Sequence, residues 1–575
     1  MRNMNRRQLI RGIAGAALGA SMPTGALQAK SGRRTDPRRL LFNWDGSMIH
    51  CFGRAALGLG DALLNVEQFK SLVFEPIEEQ AVDAIFFNFG SGNVAEYQSN
   101  VLEWPGEADR FRFPESKTWH GGIEVDPADQ YHNPKALADA GHNPPAVIVE
   151  ECHRRGIDAF VSLRMNDCHD GQHPKGTLPN PELASFKRQN PDWLVDDLDW
   201  WSALDFSQPR VRALKLRIIE EFFDRWDFDG IELDWLRHTL YFPRGTEREN
   251  NRYITEFMRS VRKSLQLRAK RRGRPIEIAV RVPERLTWCE AGGFDVPLWV
   301  REDLVDLLIV GQSLTELPTI REFQDLAKKR QVPVYPCLTP FGNGYGLSPS
   351  EVIRGSAANL WADGADGLYA FNWFSHGPWR RELLRQIAAP AHLRGLSKRF
   401  TLSHKIEVPS GQPGADYLRY NVQGRDAPLP FQLRAGATKT LLFPLAGEFA
   451  DAFPRPQRAE VWIAADFLGP SDVLRLQLNG RALDVPMPGG EITQLALGAA
   501  VPIPEGNGLL GLPPRRSIDM EFRGIRVVAP RDAFRSGRNE LQITLLNRTP
   551  GMKHELRINR LEVDCTYGAV ATDDS

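Results

Sequence analysis

The sequence predicts an α/β fold, a (β/α)8 TIM barrel, followed by an all-β sandwich of jelly-roll type. Between residues 39 and 390, short apolar runs alternate with longer segments of helical period, the pattern of βα units around a parallel sheet. Eight such runs can be counted, the number that closes a barrel, with a doubly wound sheet as the alternative. Beyond residue 390 the helical period gives way to short alternating stretches parted by Gly, Pro and Asn, which reads as an antiparallel sandwich.

In chain order the runs are RLLFNWD (39–45), VDAIFFNF (82–89), IDAFVSLR (157–164), GIELDW (230–235), IEIAVRV (276–282), VDLLIVG (305–311), VPVYPCL (332–338) and DGLYAFNW (366–373). Helices lie between them. Val211, Leu214, Ile218, Phe222 and Trp226 form one stripe over 209–226, with Ser207 as the expected cap. Ser348, Pro349 and Glu351 read as a capping box opening a helix that runs to about Ala362. Asn143, Pro144 and Gly156 bracket another helix. Two connections are long, Gly90 to Asn143 and Met165 to Gln208; both leave C-terminal ends of strands, where barrels build their sites. In the last third, AEVWIAAD, VLRLQLNG, NELQITLL and LRINRLEVDCTY are the expected strands.

Residues 1–30 read as an export signal, with Arg6-Arg7 ahead of Leu9-Ile10 resembling a twin-arginine motif and small residues permitting cleavage after Ala26 or Ala29. A periplasmic or secreted bacterial protein is therefore expected. The barrel is assigned to 31–392 and the sandwich to 393–575. Lys plus Arg and Asp plus Glu balance at 72 each, so charge gives no reason to expect nucleic acid or a membrane surface as partner. No later stretch is apolar enough to span a bilayer. Six scattered cysteines form no CxxC pair, which argues against a zinc ribbon and leaves one or two disulfides open. No cofactor is expected.

Side chains alternate along a strand. In the fourth run Ile231 and Leu233 suit the helix-packed side, so Glu232 and Asp234 face the barrel axis, Asp234 at the mouth and Glu232 about 6.6 Å deeper. Asp229 falls in an Asp-Gly turn at the opposite end and is assigned to turn formation. The same reading gathers Asn43, Asp45, Asn88, Arg164, Asn166, Asp167, His169, Arg281, Glu284, Gln312, Asn372 and Trp373 at strand ends. So many polar groups at one end of a barrel are costly unless they pair and bind something. A self-satisfied plug, with Arg164 or Arg281 against Glu232 or Asp234, accounts for part of the pattern.

FDGIELDWLRH (228–238) resembles the fourth-strand motif of the family 10-like glycosyl hydrolases, in which DGIxxDxxR ends in a carboxylate at the barrel mouth. The likeness extends through 281–311, and LRLQLNGRAL with RSGRNELQITLLNR resembles a galactose-binding-like jelly roll. It implies a TIM-barrel glycoside hydrolase with Asp234 as the principal catalytic carboxylate and Arg237 beside it. The chain departs from the chitinase-like DGxxxDxE, because Leu236 stands where the acid would be, so a second carboxylate must come from another strand. Glycoside hydrolysis needs two carboxyl groups. Glu284 is the first choice for the acid, Asp167 the second and Glu232 the third. Trp44, Trp235, Trp288 and Trp373 are candidate sugar platforms, each also readable as core, and Asn43, Asn88, Asn166, His169, His238 and Asn372 are candidate hydroxyl ligands. Two other functions stay open: a metal-dependent hydrolase or deacetylase using Asp167, His169 and His173, and a polysaccharide-binding protein without turnover.

Overall fold

The computed structural model describes residues 38–78, 82–104, 118–120, 123–126, 128–171, 182–195, 200–311, 320–340, 348–373, 378–402, 427–447, 455–485 and 523–568. The export signal expected over 1–30 lies outside the described residues, as do His173 and Gln312.

Among the described residues there are nineteen strands and twelve α-helices. The first part holds β1 (Leu40–Asp45), α1 (Gly46–Ala56), α2 (Val66–Phe74), β2 (Ala84–Asn88), β3 (Thr118–His120), β4 (Ile123–Val125), α3 (Asp129–Asp139), α4 (Pro144–Arg155), β5 (Asp158–Arg164) and α5 (Ser185–Gln189). Next come α6 (Pro209–Arg225), β6 (Gly230–Asp234), α7 (Glu247–Arg272), β7 (Glu277–Val282), α8 (Leu286–Ala291), α9 (Val296–Arg301) and β8 (Leu307–Val310). The barrel finishes with α10 (Arg321–Lys328), β9 (Val334–Leu338), α11 (Ser350–Ala362), β10 (Leu368–Ala370) and α12 (Pro378–Ile387). Then follow β11 (Lys398–Thr401), β12 (Phe431–Leu433), β13 (Thr438–Leu445), β14 (Arg458–Asp466), β15 (Val473–Leu478), β16 (Arg481–Leu483), β17 (Arg523–Val528), β18 (Gly537–Asn547) and β19 (Leu556–Thr566).

Eight parallel strands close in the order β1-β10-β9-β8-β7-β6-β5-β2, so the eight runs read from the sequence are the eight staves. The connection after β2 is more than a loop, since it carries the β3–β4 hairpin and α3. The C-terminal strands form two antiparallel sheets, β11-β19-β14-β17 with β12 also on β19, and β13-β18-β15-β16. Their inner faces bury Val461, Ile463, Leu561 and Val563 with Leu476, Leu541 and Ile543 in one apolar core. α11 joins barrel to sandwich: Asn359 donates to Pro444 O and accepts from Ala446 N, while Arg354 donates to Ser397 O.

Two expected caps are absent. The α6 N-cap is Gln208, and the Ser207 hydroxyl donates to Asp205 instead. The α11 N-cap is Pro349 with no side-chain bond, because Ser348 is buried and its backbone N–H is spent on Pro340 O. In α6, Pro209 at the first helical position already fixes the φ that the turn needs, which reduces the need for a side-chain cap. All six cysteines are free thiols, so neither of the disulfides left open forms. Among the described residues no helix is long and apolar enough to cross a membrane.

The barrel interior is filled in layers. Leu41, Ala84, Phe86, Phe160, Ala279, Leu307, Ile309, Tyr335, Cys337, Tyr369 and Phe371 form its own apolar cluster. Gly230 sits in the lower layer: a Cβ there would meet the Phe160 ring at 2.3 Å and Glu277 O at 2.6 Å, so the glycine makes room for the aromatic floor. Below that floor Arg38 spans Asp158 and Glu277 at 2.8 and 2.5 Å and lies over the Phe160 ring. Asp229 holds the same end of the barrel. Its carboxylate accepts from Ala159 N at 2.8 Å and contacts His153 Nε2 at 2.9 Å and Arg274 at 2.6 Å.

Burial alone would raise the Asp229 pKa, but the bonds from His153 and Ala159 and the charges of His153 and Arg274 overcome it and hold the carboxyl at about 2. A depressed carboxyl stabilises the fold above its unfolded value, and that stability is lost as pH falls through the folded value. Asp229→Asn is accordingly expected to cost on the order of 2 kcal/mol at pH 7 and to flatten the acid limb between about pH 4 and 2. Chemical denaturation as a function of pH measures both. An unchanged acid limb would remove the assignment of Asp229 to barrel-end stability.

Candidate active site

Register places the polar residues in two tiers. Ser162, Glu232 and Ala279 align across β5, β6 and β7, and Arg164, Asp234 and Arg281 align one tier higher. Glu232 and Asp234 thus project inward, as alternation along β6 requires.

In the lower tier Glu232 is 0% exposed. It accepts from the Ser162 hydroxyl at 2.5 Å and the Tyr369 hydroxyl at 2.7 Å. Asn43 donates weakly to Ser162 Oγ, and Asn88 donates to Ser162 O, so both asparagines are tied into the barrel wall below the mouth. Burial raises the Glu232 pKa to about 7, with the Asp234 charge adding to the rise and Arg281, Ser162 and Tyr369 opposing it.

In the upper tier Arg281 is wholly buried over the Phe371 ring at 4.1 Å, a cation–π contact. Its Nε and Nη2 grip Asp234 at 3.0 and 2.7 Å. Asp234 Oδ1 also accepts from the backbone N–H of Leu236 and Arg237, both at 3.0 Å. All four bonds converge on its two carboxylate oxygens. They also turn the chain at the end of β6, as Asx side chains do. Position 236 is therefore needed for its backbone N–H and points its leucine into the buried interior.

A second network adjoins the first. Arg164 bonds Asp45 Oδ2 at 2.7 Å and Asp167 Oδ2 at 3.0 Å. Asp167 Oδ1 meets the backbone N–H and Nδ1 of His169 at 3.0 and 2.7 Å, and His169 Nε2 meets Arg237 Nη2 at 3.2 Å. Burial opposes a charge on Asp167, but His169, His238 and Arg164 overcome it and hold the carboxyl well below the usual range. An acid so firmly ionised is a poor proton donor, which sets aside the second choice for that role.

Glu284, two residues past β7, is 8% exposed, and Trp288 is half-buried on α8. One carboxyl group escaped sequence reasoning. Glu96, in the connection after β2, is 2% exposed, accepts from the Ser47 hydroxyl at 2.5 Å and is raised in pKa by burial and by Asp45. It lies in a connection without periodicity, and no motif singles it out.

Several expected ligands are elsewhere. Asn166 is fully buried and clasps the chain, donating to Leu204 O and Leu240 O and accepting from Leu204 N. Trp235 has the opposite parity to Asp234 and packs in the helix layer against Phe206, Tyr241, Phe257, Phe294 and Trp299, so it is core and no platform. Trp44, bonded to Val73 O, and Trp373 are core as well. His238 is buried, accepts from Cys168 N at 3.3 Å and makes an edge contact with His169. Asn372 stands just past β10 at φ 48° with its Oδ1 buried.

Asp167, His169 and His238 place three ligand atoms within 4.8 Å, the one such trio among the described residues. The donor set does not suit a cation. His169 gives its Nδ1–H to Asp167, and its Nε2 lone pair faces Arg237, which only donates; the Nδ1 lone pair of His238 faces the Cys168 N–H. A metal on His169 Nε2 would have to displace the Arg237 guanidinium, and one on His238 Nδ1 the Cys168 N–H.

No family model and no curated protein matches this chain. Among solved structures it is similar to the PgaB (BpsB) glycoside hydrolase domain from Bordetella bronchiseptica, at 12% identity over 61% of this chain and 99% of that one, TM-score 0.37. It is also similar to a family GH18 chitinase from Chromobacterium violaceum, at 9% identity over 95% and 98%, TM-score 0.35. A third likeness is the endo-beta-1,4-mannanase from Thermotoga petrophila, at 9% identity over 92% and 98%, TM-score 0.36. At such values the functional reading has to rest on the site alone.

A carboxyl whose pKa is raised by folding stabilises the fold below its unfolded value and loses that contribution as pH rises through the folded value. Glu232→Gln supplies a neutral amide in place of the protonated acid. It is expected to match the wild type in stability near pH 4.5 and to exceed it increasingly up to about pH 7, then to run parallel. Thermal unfolding of both proteins across that range is the check, and a pH-independent difference would contradict the assignment.

Proposed function

We propose that the chain is an exported glycoside hydrolase that cleaves glycosidic bonds in a poly- or oligosaccharide with two carboxyl groups. The observation that carries this is a set of buried polar atoms at the barrel mouth with no hydrogen-bond partner: Asp45 Oδ1, Glu96 Oε2 and Asn372 Oδ1 as acceptors, Arg281 Nη1 and Arg237 Nε as donors. Orphaned buried groups are costly and rare in folded proteins. A ligand that completes both kinds at once must donate and accept, as sugar hydroxyls do.

Within this reading Asp234 is the ionised partner. Its Oδ1 already accepts three bonds and its Oδ2 one, so Oδ2 retains the lone pair for the anomeric carbon or for the attacking water. Glu284 gives the proton to the leaving oxygen, being a buried carboxyl two residues past β7, the strand beside β6. Glu232 is too enclosed to meet substrate and acts from beneath, keeping the floor of the site polar and of adjustable charge. Arg164, Asp167 and His169 orient Arg237. Export by the twin-arginine route is supported by Arg6-Arg7 ahead of Leu9-Ile10.

Purified protein screened against bacterial, plant and algal polysaccharides is expected to hydrolyse one of them. Asp234→Asn and Glu284→Gln should each slow that hydrolysis at least about 100-fold while leaving the fold intact by circular dichroism. Full hydrolysis by both variants would overturn the assignment. Dialysis against a chelator is expected to leave the rate unchanged; its loss, with zinc restoring it, would favour the metal reading on Asp167, His169 and His173, to which the structure adds His238 as a further neighbour.

A further inference from the structure

The three arginines at the mouth differ in how they are neutralised. Arg164 contacts two carboxylates, Asp45 and Asp167, and Arg281 is held side-on by Asp234. Arg237 has no carboxylate in ion-pair contact among the described residues. Its guanidinium makes one hydrogen-bond contact, from Nη2 to His169 Nε2, and its Nε is buried with no acceptor. Of five N–H donors in a fixed planar fork, four are uncommitted. Neighbouring charges do not make up the deficit. Asp45 and Asp167 attract Arg237 from a distance, but Arg164 and Arg281 repel it, and burial with that repulsion lowers its pKa against the attraction.

Arg237 is also held in place. Its backbone N–H is fixed by Asp234 Oδ1, and its Nη2 by a His169 ring that Asp167 orients. The residue is only partly exposed, so its uncommitted donors are largely shielded from bulk water. A rigid, under-neutralised guanidinium a few residues from the principal carboxylate is built to receive an anion that the protein itself does not supply. Arg281 shows the preferred geometry in the same site, since a planar carboxylate takes two donors at once.

We propose that Arg237 binds a carboxylate carried by the substrate, so that the sugar held beside Asp234 is an acidic one of uronic type. This rests on the glycoside hydrolase reading for the word substrate, but the binding site stands on geometry that does not need turnover. Neutral hydroxyls complete the orphaned acceptors Asp45 Oδ1 and Asn372 Oδ1, and the carboxylate completes the fork of Arg237.

The test is binding to the full chain, followed by calorimetry or ligand-observed NMR at constant ionic strength, with glucuronate, galacturonate, glucose, galactose and inorganic sulfate as probes. A uronate is expected to bind at least about tenfold more tightly than its neutral counterpart. Arg237→Gln should erase that preference, and Arg237→Lys, which keeps charge but loses the fork, should keep only part of it. Equal binding of neutral and acidic sugars, no binding of either uronate, or a preference unchanged in Arg237→Gln would overturn the proposal. Binding of sulfate without uronates would also overturn it and would point to a sulfated sugar. A chain that binds uronates yet hydrolyses no polysaccharide would keep this inference and lose the hydrolase reading.

Discussion

The mouth of the barrel depends on one contact, the side-on grip of Arg281 on Asp234. Both groups are almost wholly removed from water, at 0% and 2% exposure. Each isolated charge would cost several kcal/mol to bury, so neither is stable there without the other. The pair does more than cancel charge. With Arg281 on one edge, Asp234 presents Oδ1 to the backbone of Leu236 and Arg237, which bends the chain at the end of β6 and sets Arg237 over the site. It also places a negative charge above Glu232, which adds to burial in keeping that carboxyl protonated up to about pH 7.

The neighbouring network has the same logic with a different outcome. Arg164 is neutralised twice, and Asp167 orients the His169 ring, which aligns Arg237. A polar plug built only for stability would close on itself, with every donor meeting an acceptor. This one does not. Asp45 Oδ1 and Glu96 Oε2 lack donors while Arg237 Nε and Arg281 Nη1 lack acceptors, and rigid, ion-paired neighbours keep them from collapsing onto each other. The end of the barrel held by Arg38, Asp158 and Glu277 is the contrast, since there the charges pair directly across the floor.

Much of this was legible in the sequence because it follows from alternation. Eight apolar runs became eight staves, and the parity of β6 put Glu232 and Asp234 on the axis and Asp229 at the far end. The same parity argument, applied to Trp235, would have sent it to the helix layer. Loop residues follow no such period. Asn166 looks like a sugar ligand from composition, yet its amide is consumed by the backbone of Leu204 and Leu240. Glu96 carried no local signal, because its place is set by the turn after β2 and by Ser47 on a different element. Nor could the sequence distinguish Arg237 from Arg164 and Arg281, since what separates them is which carboxylates lie within reach.

The central claim is that Asp234 and Arg281 are kept charged for a ligand and not for the fold. Replacing a buried ion pair by apolar groups of similar size is often neutral or stabilising. The most direct measurement is therefore the combined variant Asp234→Leu with Arg281→Met, assayed for unfolding free energy and for sugar binding or hydrolysis in the same preparation. Stability at or above that of the wild type together with complete loss of binding and turnover is the predicted result. Retained binding or turnover, or a large loss of stability in the combined variant, would show the pair to be a structural plug.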